Sequence, residues 1–227
     1  MHSLSTLGQS FSLLFSSRLR RWVLIPQLAN LLLYIILAFS GWNLVADYLA
    51  QWLSDLPQWL SLLDEVLTAL ATLLLLIVFQ FTFLLTANLI AAPFNSVIAE
   101  ILLDHQLTAN PFSWSQLKLV FSRELSKLGY ILPRAILILL LSFIPLVGPI
   151  LAAFWGAWIL MVNYSDYAQE VAGRPFKDLP KKLAQGKIST LLIGFCFSVV
   201  LMVPLLNLLI PAWATIAGCK HWQALEK

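Results

Sequence analysis

Four long stretches of this chain contain no charged residue: 22–46, 66–99, 135–165 and 188–219, of 25, 34, 31 and 32 residues. About 20 apolar residues are enough for a helix to cross some 30 Å of hydrocarbon. In lipid the backbone must bond within its own segment, so such stretches are helical. The composition agrees, with 11% charged residues, 60% hydrophobic residues and a mean hydropathy of +0.85. A soluble domain carries about 25% charged residues, so a water-soluble enzyme domain is excluded. The chain is predicted to be a single all-α integral membrane domain over residues 1–227.

The four runs are not alike. The first reads as one span, 22–46, with Pro26 tolerated near its start. The second spans 66–87 and is expected to continue past a break at Pro93. Pro145, Gly148 and Pro149 split the third run, and Pro204, Asn207 and Pro211 split the fourth. Each half is predicted to be too short to cross alone.

Charge decides how the broken runs sit. Residues 47–65 hold Asp47, Asp55, Asp64 and Glu65 and none of the 14 Lys and Arg residues. If the third and fourth runs both crossed fully, the five basic residues of 166–187 would lie outside, against the positive-inside bias. The predicted architecture is therefore two long transmembrane helices plus two Pro-broken re-entrant helical hairpins, 135–165 and 188–219. An acidic outer loop, 47–65, and a basic cytoplasmic loop, 166–187, connect them, and both termini are cytoplasmic. Paired, broken hydrophobic segments point to a transport site; two kinked structural helices explain the pattern equally well.

A cytoplasmic amphipathic helix is predicted over 111–132, capped by Asn110 with Pro111 at its first position. Leu117, Phe121, Leu125 and Leu128 form its apolar stripe, with Lys118, Ser122, Arg123 and Lys127 away from it. Trp42, Trp52 and Trp59 are expected as interfacial anchors.

Catalysis has little to stand on. His2, His105 and His221 are scattered, and neither a phosphate-binding loop nor a metal-ligand spacing occurs, so no catalytic residue, metal or cofactor is predicted. Cys196 and Cys219 show no pairing logic and read as inert thiols. The basic residues flank apolar runs, which argues for topology rather than nucleic acid. No removable signal peptide is expected, because a charged n-region with a short apolar core is missing.

An anion site is the strongest chemical candidate. Ser17-Arg18-Leu19-Arg20-Arg21 opens the first span, where free backbone N–H groups and arginine forks attract oxyanions. Arginines at a cytoplasmic helix end also serve simply to fix topology. Asn30, Asn88, Asn95 and Asn207 are costly facing lipid and should face protein or water. Glu100 and Arg134 bound membrane runs and are candidates to pair or to mark an inner mouth.

Residues Asn88-Leu-Ile-Ala-Ala-Pro-Phe-Asn95, followed by Ala99-Glu100, resemble the CysZ sulfate transporter family of bacterial inner membranes. The likeness extends in order through Arg20–Pro26, Tyr130–Ala135, Phe143–Pro145, Tyr164–Tyr167, Arg174–Lys177 and Pro204–Asn207. The resemblance implies sulfate uptake into the cytoplasm for sulfate assimilation and cysteine synthesis, by a homo-oligomer in the lipid bilayer. It implies a sulfate site at Arg20 and Arg21 with the backbone around Arg18 and Leu19. It also implies pore-lining roles for Asn30, Asn88, Asn95, Glu100 and Arg134. Arg18 stands where the family often has glycine. A non-transporting scaffold for another permease is the alternative from a different class.

Overall fold

The computed structural model describes residues 2–54, 64–108, 110–201, 203 and 209–226. Among them every regular element is helical: α1 (His2–Leu14), α2 (Arg20–Ser54), α3 (Asp64–Leu102), α4 (Trp114–Leu141), α5 (Val147–Val171), a 3-10 turn (Phe176–Asp178), α6 (Leu179–Gln185), α7 (Lys187–Val200) and α8 (Ile210–Ala224). Among the described residues two stretches are long and apolar enough to cross a membrane, Arg20–Leu37 within α2 and the whole of α5. The chain is an all-α membrane protein.

It divides into two compact units, residues 28–90 and residues 1–27 with 91–227. The first unit consists of the later part of α2 and the earlier part of α3. Its Leu28, Leu32, Ile36 and Phe39 are exposed, as are Leu70, Leu73 and Leu74. The second unit buries Met161, Val162 and Ala168 of α5 with Leu183, Ile193, Phe197 and Ala217 in one core. Here α5 packs on α7 and α8, while α1 lies across α8. Small residues allow the closest approaches: a Cβ on Gly218 would lie 2.8 Å from the Ser165 nitrogen, and one on Gly194 would overlap Ala157. Backbones packed this closely are typical of helices that associate inside membranes.

Several expected boundaries move. α2 covers 20–54 rather than 22–46, so the first eight residues of the acidic 47–65 segment are helical and α3 takes its last two. The rest of that segment lies outside the described residues, with Trp59, as do Pro204 and Asn207. No break forms at Pro93; α3 runs through it. Ala91, Ala92, Val97, Ile98 and Ala99 around it are all buried, and this packing holds the helix where proline removes a rung.

The separate helix at 111–132 and the first arm of hairpin 135–165 are one helix. α4 passes through Pro133 and ends at Leu141. Its cap is Ser113, whose Oγ accepts from the Gln116 amide, and Asn110 instead accepts from the Phe112 amide. α5 has 25 residues, so the premise that each half is too short does not hold for it. It also takes the first six residues of the 166–187 loop, while α6 and the 3-10 turn shape the remainder.

The two faces of α4 differ in their surroundings. Phe121, Leu125 and Leu128 are exposed, whereas Lys127 is buried and Arg123 faces α5. An acidic partner at the end of α5 outweighs the apolar stripe, since a carboxylate buried there needs a cation more than the stripe needs cover.

Candidate cationic site at the start of α2

The turn between α1 and α2 is set by Leu19. Leu19 is 1% exposed, and with Leu14 and Val23 it packs against Val97, Ile98 and Ile101 of α3 and Ile216 of α8. Burying these side chains leaves Arg18, Arg20 and Arg21, the residues between them, exposed. The amides of Leu19 and Arg20 donate to the Ser16 carbonyl at 3.1 and 2.9 Å, and those of Trp22 and Val23 donate to the Leu19 carbonyl. The amides of Ser17, Arg18 and Arg21 have no acceptor among the described residues. The Leu19 N–H is thus taken, and its neighbours supply the free donors.

Arg21 lies with its guanidinium carbon 5.2 Å from the centre of the Trp22 ring. Trp22 in turn rests against Phe94, 6.2 Å between ring centres, and Phe94 against Phe112 at 5.1 Å. Arg18 makes a loose, exposed contact with Asp104 at 3.5 Å. Arg20 and Arg21 form no ion pair among the described residues, so two exposed guanidinium groups and free amides lie together in sequence at a positive helix terminus.

The other candidates scatter. Asn30 is buried and Asn88 half-buried. Asn95 is buried, and its amide reaches the Tyr167 hydroxyl. Glu100 and Arg134 do not pair. Glu100 binds Thr108, through the backbone N–H at 3.0 Å and the hydroxyl at 2.5 Å. Arg134 donates to the Tyr130 carbonyl at 2.8 Å and covers the Tyr130 ring at 4.0 Å. Each finds a partner within its own turn or loop, at lower entropic cost than a distant one.

Glu100 also lines a cleft of about 290 Å³ with Ser96, His105, Thr108, Gln116 and Glu170. Two carboxylates make it unsuited to an anion. Among the described residues no group of three His, Cys, Asp or Glu is placed to hold a metal.

Sequence reasoning missed two charged clusters. In one, Asp166 of α5 meets Arg123 and Lys127 of α4, while Glu124 takes Lys127 and the Tyr167 hydroxyl. In the other, Glu226 bridges Arg174, at 2.7 and 3.0 Å, and Lys182, and both cations lie over the Trp222 ring. Burial, and then Arg174, push the Lys182 ammonium down to about 8. One signal was available: an aspartate closing a 31-residue charge-free run requires a cation.

The fold and this corner define a membrane protein with an exposed arginine cluster at the start of a long helix and a bundle of closely packed apolar helices. The family model described as Sulfate transporter CysZ/Etoposide-induced protein 2.4 matches residues 6–211, and the chain belongs to that family. It is 32% identical to the sulfate transporter CysZ of Pseudomonas fluorescens, over 95% of this chain and 90% of that one. It is 35% identical to the sulfate transporter CysZ of Vibrio parahaemolyticus, over 93% and 90%. With that of Pectobacterium atrosepticum it shares 34% identity, over 90% and 78%.

Proposed function

We propose that the chain carries sulfate across the bacterial inner membrane into the cytoplasm, supplying sulfate assimilation and cysteine synthesis, and that it is not an enzyme. The observation that supports this most directly is the exposed Arg20–Arg21 pair beside free amides at the start of α2. Sulfate is a dianion, and removing it from water requires paired cations or several N–H donors. The relatives are named for the same cargo.

The helical pairs α4–α5 and α7–α8 act as re-entrant hairpins. Tyr130, Arg134, Trp155 and Trp158 form a belt typical of a membrane interface, tied by a 3.2 Å bond from the Trp158 indole to the Tyr130 hydroxyl. Beyond Tyr130 α4 continues for 11 residues, about 17 Å at 1.5 Å per residue. That is roughly half the hydrocarbon thickness. The tip is apolar and open, with Phe143 81% and Leu146 82% exposed, as expected of side chains immersed in lipid. The basic segments and both termini then lie in the cytoplasm. The outward apolar stripe of α4 and the small number of spans favour a homo-oligomer, which together encloses the aqueous route.

Radiolabelled sulfate uptake into liposomes containing only this protein tests the proposal, with Arg20→Ala/Arg21→Ala as the control. Uptake that the double variant loses, while its assembly on a sizing column is unchanged, supports the site. Absence of uptake from folded wild-type protein, with and without an ion gradient, favours the scaffold instead.

A further inference from the structure

We infer that the Trp22 indole N–H is a selectivity element on the anion route, with the Gln27 carboxamide a further donor after it, favouring oxyanions that only accept hydrogen bonds over those carrying a hydroxyl. The inference rests on Arg20 and Arg21 being the anion site.

Trp22 Nε1 and Gln27 Nε2 are buried, and neither has a hydrogen-bond partner in the protein. Gln27 as a whole is 4% exposed. Buried N–H groups are nearly always paired, and one left alone costs about 1–3 kcal/mol. Both groups lie on the first eight residues of α2, directly after the exposed arginine pair, where a bound anion would supply the missing acceptor. The ring of Trp22 contacts both the Arg21 guanidinium, 5.2 Å from its centre, and the Phe94 ring, which fixes it next to one of the two cations. Gln27 follows about 7.5 Å further along the helix axis.

The chemistry of the donors specifies the ligand. An indole N–H donates and cannot accept, and the same holds for guanidinium and backbone N–H groups. No carboxylate among the described residues bonds to Arg20, Arg21 or Trp22. Fully ionised sulfate satisfies such a lining with acceptor oxygens alone. Hydrogen phosphate, of similar shape and charge, brings an O–H that would face another N–H. A site whose buried groups cannot pair with a substrate's polar atom rejects that substrate strongly.

The test uses the full chain in liposomes, with Trp22→Phe, Gln27→Met and Arg20→Ala/Arg21→Ala beside wild type. Two quantities are read: the half-saturating sulfate concentration, and the ratio of sulfate to phosphate flux. Trp22→Phe is expected to raise the first about tenfold and to lower the second by a similar factor. Gln27→Met, which removes a donor and an acceptor together, raises the first by less and leaves the second near the wild-type value. If Trp22→Phe fails to assemble, β-(3-benzothienyl)alanine at position 22 removes the N–H while keeping the bicyclic shape. An assembled protein without the indole N–H but with both quantities unchanged, in a series where the arginine variant loses flux, overturns the role of Trp22 and leaves the anion site standing. If the arginine variant transports as wild type does, the anion site and this inference fall together.

Discussion

Arg123 grips Asp166 with two parallel hydrogen bonds, Nε at 2.9 Å and Nη2 at 2.7 Å, and the carboxylate it holds has no exposed surface. Lys127 adds a second cation at 3.7 Å. These contacts explain why α4 turns its charges inward and its apolar stripe outward.

Removing the charge of Asp166 tests how much that clasp holds. Asp166→Asn leaves the half-buried Arg123 guanidinium without its carboxylate and Lys127 with Glu124 alone, which costs on the order of 3–5 kcal/mol. The thermal unfolding midpoint in detergent is expected to fall by about 10 °C. A midpoint equal to wild type would show that α4 is held on α5 by something else.

Gly194 and Gly129 offer a matched pair of substitutions. A Cβ at Gly194 overlaps the backbone of Ala157, so Gly194→Ala forces α7 away from α5 at about 1–3 kcal/mol. Gly129, also within a helix, has nothing within 4 Å, and alanine there gains about 1 kcal/mol of helix propensity. The two variants should shift the unfolding midpoint in opposite directions; a shift of the same sign would contradict the close α5–α7 approach.

His221 makes the fold acid-sensitive. Its Nε2 shares a hydrogen bond of 2.8 Å with the Thr190 hydroxyl, which also reaches the Leu183 and Gly186 carbonyls. Burial lowers the imidazole to about 4, whereas the unfolded chain has the ordinary value near 6.5. As pH falls through that interval the unfolded state takes up the proton first, so stability is lost between about 6.5 and 4. A pH series of unfolding midpoints should show this slope, and His221→Gln should flatten it. An unaltered slope in that variant would assign the acid sensitivity to other groups.

Legibility in the sequence followed the range of each interaction. The charge-free runs announced membrane helices because hydrocarbon acts on any segment long enough to enter it, whatever its neighbours. The Arg18–Arg21 cluster was equally visible, since a charged run at a helix start is a local pattern. Pro93 misled for the opposite reason: proline's penalty is local, whereas the packing of Ala92, Ile98 and Ala99 that overcomes it comes from elsewhere in the chain. Glu100 and Arg134 looked paired because each bounds a run, yet both close their bonds within a few residues.

Periodicity and charge spacing alone therefore determined the all-α membrane class and the cationic start of α2. Which face of α4 turns inward was decided by tertiary structure, as were the unmatched N–H groups of Trp22 and Gln27. Hydropathy sums over one segment, but a buried charge or an orphan donor is defined by its partner, and Arg123 and Asp166 lie 43 residues apart. Only the folded chain brings such groups together, or leaves one of them without a mate.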